Sequence, residues 1–535
     1  MISAEILIVG SGPTGLWLAL ELRRANIDVL IIDSIASRDA RPTHSKALSM
    51  SAGSLATFES RGIAQDFIDA GLSLHKAHFG GLETLLDLNC EVLGTRHSHN
   101  LAIPQARTEA LLLNRCEEAG VRFLWGLRFQ SLCQDQERVL VSTAHLTAGG
   151  ELRLDAKWVI GCDGTHSAVR RAAEIPFEGS PSSIAGMLAD IQLNEKPGTI
   201  TISRGSKGGC MTVPLGDGIY YRFVGLFKDS MMKPLSNEPT LEEVKECMRD
   251  AFGSDLGAHS PLWLSRFGNA CRLATSFRAG RVFLAGDSAH QFFPAGGQGM
   301  NLGIQDATNL AWKLALVLSS KQDGAFVERA LDSYTAERRA AAGAVISNVQ
   351  AQTAVLMGHK AHEVALREVL CEALKNPDLN ALWARRVTGF GEPRYPYHPH
   401  TDSGKSDPDD QCNPLVGTRM THVGFETEQE LFRAAKLDRF VFLLRNASQC
   451  DKAAEIEELH TICQHWADRV TKVSSSTFST NRQWKDVIAV LIRPDMRIAW
   501  VSTRQVPLSR SKETLESVLL HWFGSKEEFV GPNTE

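Results

Sequence analysis

Three short stretches of this chain hold residue types that could do chemistry together. Gly10-Ser11-Gly12-Pro13-Thr14-Gly15 follows an apolar run, Ile6–Val9, and opens a helical pattern from about Thr14 to Ala25. Glycines at that spacing permit a tight turn, close approach of a pyrophosphate and close helix–strand packing. Asp33 ends the next apolar run, Asp28–Ile32, where a carboxylate can accept from an adenosine ribose and would repel a 2′-phosphate. The second stretch, Cys162-Asp163-Gly164, follows the short strand Trp158–Gly161. The third is Arg281–Lys313: a buried strand at Val282–Ala285, a turn with an acid at Gly286–Asp287, a glycine-rich loop at Pro294–Gly299 and a helix start near Met300. It sets one carboxylate beside backbone N–H groups at a helix N-terminus. That suits a polyol on one side and an anion-stabilising contact to a ring on the other.

The elements that must position these residues follow from pattern. The first unit alternates strand, helix and strand, a β-α-β unit. Helical patterning recurs at Arg107–Gly120 and Thr240–Phe252, and long helices run from the third stretch to about Ala373. Residues from Ile184 to Phe227 are strand formers broken by turn signals, the pattern of an inserted antiparallel sheet. The polar stretch His398–Gln411 has linker composition. Beyond it, strands at Phe440–Leu444 and Asp486–Ile492 and helices near Lys452–Arg469 and Lys512–Phe523 form a small α/β unit.

At 535 residues, 43% hydrophobic, 22% charged and net charge −5, the chain suits several domains and asks for neither nucleic acid nor an acidic membrane. No apolar run approaches the roughly 18 residues of a membrane span, and the N-terminus has no leader pattern. Eleven cysteines without a C-x-x-C pair fit reduced thiols in the cytoplasm. The pairs His97/His99 and His398/His400 have no cysteine or carboxylate at ligand spacing, so no metal is expected.

In order and spacing, Gly10–Gly15, Cys162–Arg170 and Gly286–His290 with Pro294–Asn301 resemble the three motifs of single-component FAD-dependent aromatic hydroxylases of the phenol hydroxylase and para-hydroxybenzoate hydroxylase type. Pro414–Gly417 and Leu491–Asp495 extend the resemblance into the C-terminal unit. It implies an α/β fold: a Rossmann-like FAD-binding domain of glutathione-reductase type (1–183 and 268–400), an inserted antiparallel-sheet substrate domain (184–267), a linker (401–411) and a thioredoxin-like domain (412–535). It implies non-covalent FAD, NADPH or NADH as co-substrate, O2, and an aromatic substrate of phenolic, polyketide-like or alkaloid-like kind, hydroxylated through a C4a-hydroperoxyflavin. A homodimer is a further expectation. Baeyer–Villiger, epoxidising or dearomatising chemistry is the alternative outcome, and a non-catalytic protein on the same fold the third.

Carried over by residue, the resemblance gives Gly10, Gly12, Pro13, Thr14 and Gly15 to the pyrophosphate and Asp33 to the adenosine ribose. Lys46 stands near the phosphates, Gln105 and Arg107 on the flavin side, Asp163 in a motif serving both nucleotides, and Asp287 at the ribitol. Pro294, Gly297, Gly299, Met300 and Asn301 line the isoalloxazine. No protein nucleophile is required, and no catalytic residue is assigned; His44, Arg222 and Pro294 are candidates only. Phenol-hydroxylase-like members often carry an acid two places after the residue matched by Lys46, where this chain has Leu48. Substrate candidates are Met211, Val213, Tyr220, Tyr221, Arg222 and Phe293. Arg222 could face a phenolate or be salt-bridged, and strand alternation pairs Tyr220 with Arg222 and Tyr221 with Phe223. Tyr334, Glu337 and Arg338 read as packing and an intrahelical pair.

Overall fold

The computed structural model describes residues 2–44, 46–146, 149–198, 200–320, 325–358, 360–395, 413–421, 425–446, 452–475 and 484–524. The expected linker 401–411, His398, His400 and Cys412 lie outside them. The strand Ile2–Val9 buries Ile6, Leu7, Ile8 and Val9 without alternation, as a strand covered on both faces must. It pairs in parallel with Val29–Asp33 on one side and Glu151–Gly161 on the other. Val282–Leu284 adds in parallel beyond Glu151–Gly161, and Arg122–Trp125 beyond Val29–Asp33. An antiparallel ribbon, Leu127–Gln134 with Val139–His145, joins the sheet at Glu151–Gly161. The helix Pro13–Arg24 begins on a proline, whose fixed φ and missing N–H fit a first turn. It packs Leu16, Trp17 and Leu20 against the sheet and the helix Gly299–Ser319.

The inserted sheet has five antiparallel strands, in the order Thr201–Arg204, Gly208–Pro214, Tyr220–Phe227, Ala185–Gln192 and His259–Gly268. One face carries Met187, Ala189, Ile191, Tyr221 and Phe223 against Val244, Cys247 and Met248 of the helix Leu241–Phe252. That helix starts at a capping box, Thr240 with Glu243. Burial pushes the Glu243 carboxyl up, but hydrogen bonds from Lys233, the Thr240 amide, Arg266 and Ser230 outweigh it and hold it at about 2. The opposite face, with Leu188, Val224 and Trp263, meets Phe293, Ala295 and Val349 from the third motif and the helix Ala325–Met357.

In the C-terminal unit, Val470–Ser475 pairs in parallel with Phe440–Arg445, followed by antiparallel Val487–Ile492 and Ile498–Thr503. Phe440 and Trp522 pack on Trp312 of the helix Gly299–Ser319, and Phe523 packs on Phe440, so this unit shares one core with the first sheet. Among the described residues no helix is long and apolar enough to cross a membrane.

Phe223 is fully buried. Phe223→Ala is expected to cost about 3–5 kcal/mol, the range for emptying a packed aromatic site, measured by denaturant unfolding. A cost below about 1 kcal/mol would show that this face is not core.

Candidate flavin site

The parallel strands bring the three motifs to one edge. Val9 is in register with Gly161, and Gly161 with Leu284, so the turns that follow them are neighbours. Gly10 has φ +105°, and a Cβ there would lie 2.4 Å from the Cys162 carbonyl oxygen. A Cβ on Gly15 would lie 2.1 Å from the Gly10 carbonyl oxygen. These two glycines are demanded by the chain itself. Gly12 is different: a Cβ there meets nothing within 4 Å, and its φ of −70° suits any residue. The chain itself leaves room for a side chain there. A cleft of about 380 Å³ opens there, lined by Gly10, Gly12, Asp33, Asp163, Gly164, Arg128 and Phe129.

Asp33 accepts from the Ser11 amide (2.7 Å) and hydroxyl (2.6 Å) and from the Ile35 amide (2.9 Å). Ser11 in turn accepts from Arg41 Nη1 (2.6 Å), and Arg41 pairs with Glu109 (2.7 Å), which also accepts from Gln105 Nε2 (2.8 Å). Arg41 and Glu109 are members of this edge that the three motifs did not point to. Arg41 is a cation beside the glycine turn itself. Lys46, by contrast, is exposed, and so is Arg107.

Asp163 receives the amides of Ala168 and Val169 on Oδ2 (2.7 and 3.1 Å), while its buried Oδ1 has no protein partner. Arg170 donates to the carbonyls of Ser288 (2.7 Å) and Thr165 (3.1 Å), tying the second motif to the third. Thr14 packs under Gly286 and Gly303, where a Cβ would lie 2.7 and 2.3 Å from its Oγ1. The side chain of Asp287 reaches solvent, although protein atoms stand closely around it. Desolvation there raises its carboxyl above the ordinary range, partly offset by His290, Lys46 and a hydrogen bond with Thr165. Its Oδ1 lies 4.0 Å from where a Gly299 Cβ would stand, at the first turn of the helix Gly299–Ser319, which has no side-chain cap. A carboxylate beside open helix amides is the pairing the sequence predicts.

The loop before that helix turns through Gly296 (φ +71°) and Gly297 (φ +62°). The Asn301 side chain is committed to the protein: it accepts from the Ser51 amide (2.8 Å) and donates to the carbonyls of Ser49 and Gly297 (2.9 Å each). Only its backbone remains for a ligand. Behind it lies a cavity of about 310 Å³ with mixed lining, Gln298, Gln305 and Asn348 beside Leu302, Val345 and Val387.

The substrate candidates divide by face. Met211 lies opposite Val224, Val213 opposite Arg222, and Asp190 opposite both Arg222 and Trp263. Met211, Val213, Tyr220 and Arg222 therefore share the face that meets Phe293. Tyr221 points the other way, into the core under the helix Leu241–Phe252, and is corrected from site to core. Arg222 is also corrected. It is buried, grips Asp190 through Nε and Nη2 (3.0 Å for the latter), donates to the Lys46 carbonyl (2.7 Å) and lies 5.5 Å from the Trp263 ring centre. Of the expected salt-bridged surface arginine the fold keeps the ion pair but not the surface, since Arg222 and Asp190 are both buried. His44 stacks on Trp263 at 5.2 Å between ring centres. His97 is drawn to Glu59 (3.0 Å).

The fold and its edge define a dinucleotide-binding protein of the doubly wound class, with open space at Gly12, an unpartnered oxygen on Asp163 and an uncapped helix beside Asp287. These features fit FAD. The family profile described as FAD binding domain matches residues 3–349, and that described as aromatic-ring hydroxylase, C-terminal, matches residues 413–525. A protein of Bacillus subtilis named as an uncharacterized aromatic compound monooxygenase, YhjG, is 33% identical over 98% of this chain and 99% of its own. A rifampicin monooxygenase of Streptomyces venezuelae is also 33% identical, over 97% and 99%. The solved structure of OxyS anhydrotetracycline hydroxylase from Streptomyces rimosus superposes with a TM-score of 0.80 at 30% identity, covering 98% of this chain and 100% of that one. The chain belongs to the FAD-dependent aromatic-ring hydroxylase family and is a monooxygenase-family flavoprotein.

Gly12→Ala is expected to fold with stability within about 0.5 kcal/mol of the parent and to retain little flavin. Gly15→Ala is expected to be destabilised outright. Flavin content and unfolding midpoint, measured together, separate the two; equal flavin in Gly12→Ala and the parent would show that the space is not used.

Proposed function

We propose that this protein takes reducing equivalents from NADPH or NADH and, with O2, adds one hydroxyl to an electron-rich aromatic substrate of phenolic or polyketide-like kind. The balance is substrate, NAD(P)H, a proton and O2 giving hydroxylated product, NAD(P)+ and water. The observation that carries this proposal is the pairing of the open Gly12 cleft with a separate, partly apolar sheet face that covers the third motif. Bound FAD supplies hydride acceptance and oxygen transfer.

The chain's own residues bind, orient and keep water out. Gly10, Gly12, Pro13, Thr14 and Gly15 hold the pyrophosphate, with Arg41 as the nearby cation. Asp33 and Ser11 face the adenosine ribose. Asp163 contributes its free oxygen, and Asp287 holds the ribitol. Pro294, Gly297 and the amides of Gly299, Met300 and Asn301 present donors to the ring, where developing negative charge is stabilised by a helix N-terminus. Met211, Val213, Tyr220 and Phe293, joined by Leu188 and Trp263, form the roof over the substrate and exclude water. Gln105 acts through Glu109, and Arg222 holds the Lys46 loop to the roof. Neither His44 nor Arg222 is given a proton-transfer role.

A cytoplasmic setting agrees with the nine cysteines of the described residues, all free thiols. In a homodimer, the exposed Leu366 and Val369, three residues apart on the helix Ala361–Ala373, offer an apolar patch to cover.

NAD(P)H oxidation under air is tested across phenols, polyketides and quinolones, with mass detection of products. A product gaining one oxygen on an aromatic ring is expected; a lactone moves the outcome to ring insertion, and no substrate-stimulated oxidation across the panel counts against the proposal. Asp287→Ala is expected to lose its yellow colour, and a variant that stays fully yellow removes the ribitol role.

A further inference from the structure

The turn that carries Asp287 is not held by its own loop alone. The Gly286 amide donates to Asp306 Oδ2 (3.0 Å), and His290 Nε2 meets the same oxygen at 2.7 Å. Asp306 Oδ1 accepts from Arg338 Nε (2.8 Å). Asp306, His290 and Arg338 are fully buried. Burial alone would push the Asp306 carboxyl up, but Arg338 and His290 outweigh it and keep it below its ordinary range.

Arg338 does not stand alone either. Its Nη1 donates to the Tyr395 hydroxyl (2.6 Å) and to Glu392 (3.2 Å). Glu392 is gripped by Arg497 of the C-terminal unit, whose guanidinium lies 3.7 Å from the Tyr395 ring centre. Arg497 lies in the connection between Val487–Ile492 and Ile498–Thr503, as do Arg493 and Asp495. Arg493 pairs with Glu337 (2.7 Å) and with Asp495 (2.5 Å). Asp495 Oδ2 accepts from Asn309 Nδ2 and Trp312 Nε1 (3.2 Å each), and Lys313 pairs with Glu337 (2.8 Å). Asp306, Asn309 and Lys313 fall on one side of their helix at intervals of three and four. The C-terminal hairpin therefore meets the helical face whose first member fixes the Asp287 turn.

Charge in this amount is a costly way to dock a domain. Buried ion pairs rarely out-stabilise apolar packing of the same volume, but they fix geometry because one missing partner leaves an uncompensated charge. Apolar docking is already supplied by Trp312, Phe440 and Trp522. We propose that Arg497 of the C-terminal unit is a positioning residue for the Asp287 turn, acting through Glu392, Arg338 and Asp306. The ligand consequence rests on the flavin-site proposal above; the positioning itself does not.

A control lies in the same hairpin. Pro494, beside Arg493, has its carbonyl held by Arg61 Nη2 (2.8 Å), which also pairs with Glu21. Arg61 docks the hairpin but lies off the route to Asp306. Arg497→Lys keeps the charge and loses the planar fork. Hydrogen exchange is read by mass spectrometry on the full-length protein, before and after removal of FAD, over a peptide spanning 284–291 and a reference peptide in the first strand. Arg497→Lys is expected to raise exchange of the 284–291 peptide about tenfold with the reference unchanged, and to weaken FAD binding. Arg61→Lys is expected to leave both as in the parent. If Arg497→Lys does not fold, Glu392→Gln makes the same break with less loss of volume and carries the same expectation. The proposal is overturned if the substituted protein exchanges like the parent in 284–291, or if Arg61→Lys raises that peptide equally. Raised exchange in Arg497→Lys, with a parent protein that binds no FAD at all, would uphold positioning and defeat the flavin reading.

Discussion

Parallel pairing of Ile2–Val9 with Glu151–Gly161, and of Glu151–Gly161 with Val282–Leu284, is the constraint on which the site depends. Parallel strands point their C-terminal ends the same way, so whatever follows each strand must share one edge. That geometry collects Gly10, Asp163 and Asp287 from widely separated parts of the chain. It also forces the turns against each other. The close approach of Gly15 to the Gly10 carbonyl and of Thr14 to Gly286 are its local costs, and Arg170, reaching from the second motif to the Ser288 carbonyl, is its clamp.

The first β-α-β unit was legible because burial on both faces leaves continuous apolar runs, and because Pro13 and the glycines punctuate them. The helix Leu241–Phe252 was legible from its helical patterning over Thr240–Phe252. The strand His259–Gly268 was not singled out. It lies at an edge, holds Pro261 and exposes several residues, so it carries neither alternation nor a buried run. Alternation separated Tyr220 and Arg222 from Tyr221 and Phe223, but which pair faced the site depended on where the helix Leu241–Phe252 came to rest. Arg41 was hidden for another reason: it lies among turn formers, and only folding brings it to Ser11. Glu337 and Arg338 looked like an ordinary helical pair because their partners, Arg493 and Glu392, are distant in sequence.

Two kinds of buried charge hold this protein, and they differ in kind. Arg222 with Asp190 spans neighbouring strands and reaches the Lys46 carbonyl, so it joins the roof to the floor of the site. The Asp306–Arg338–Glu392 group joins the floor to the C-terminal unit. In both cases each charge is met by an opposite one inside the protein.

The inserted sheet divides its labour by parity. Along Tyr220–Phe227, one set of alternate residues belongs to the core beneath a helix, and the intervening set looks across at Phe293. Substitutions at Met211, Val213 or Leu188 change the shape of the roof while the residues that hold the sheet to its helix stay as they are. On the function proposed above, a lineage alters the shape of molecule it accepts in single steps confined to the Phe293 face, and two sister proteins can keep one architecture while sharing no substrate.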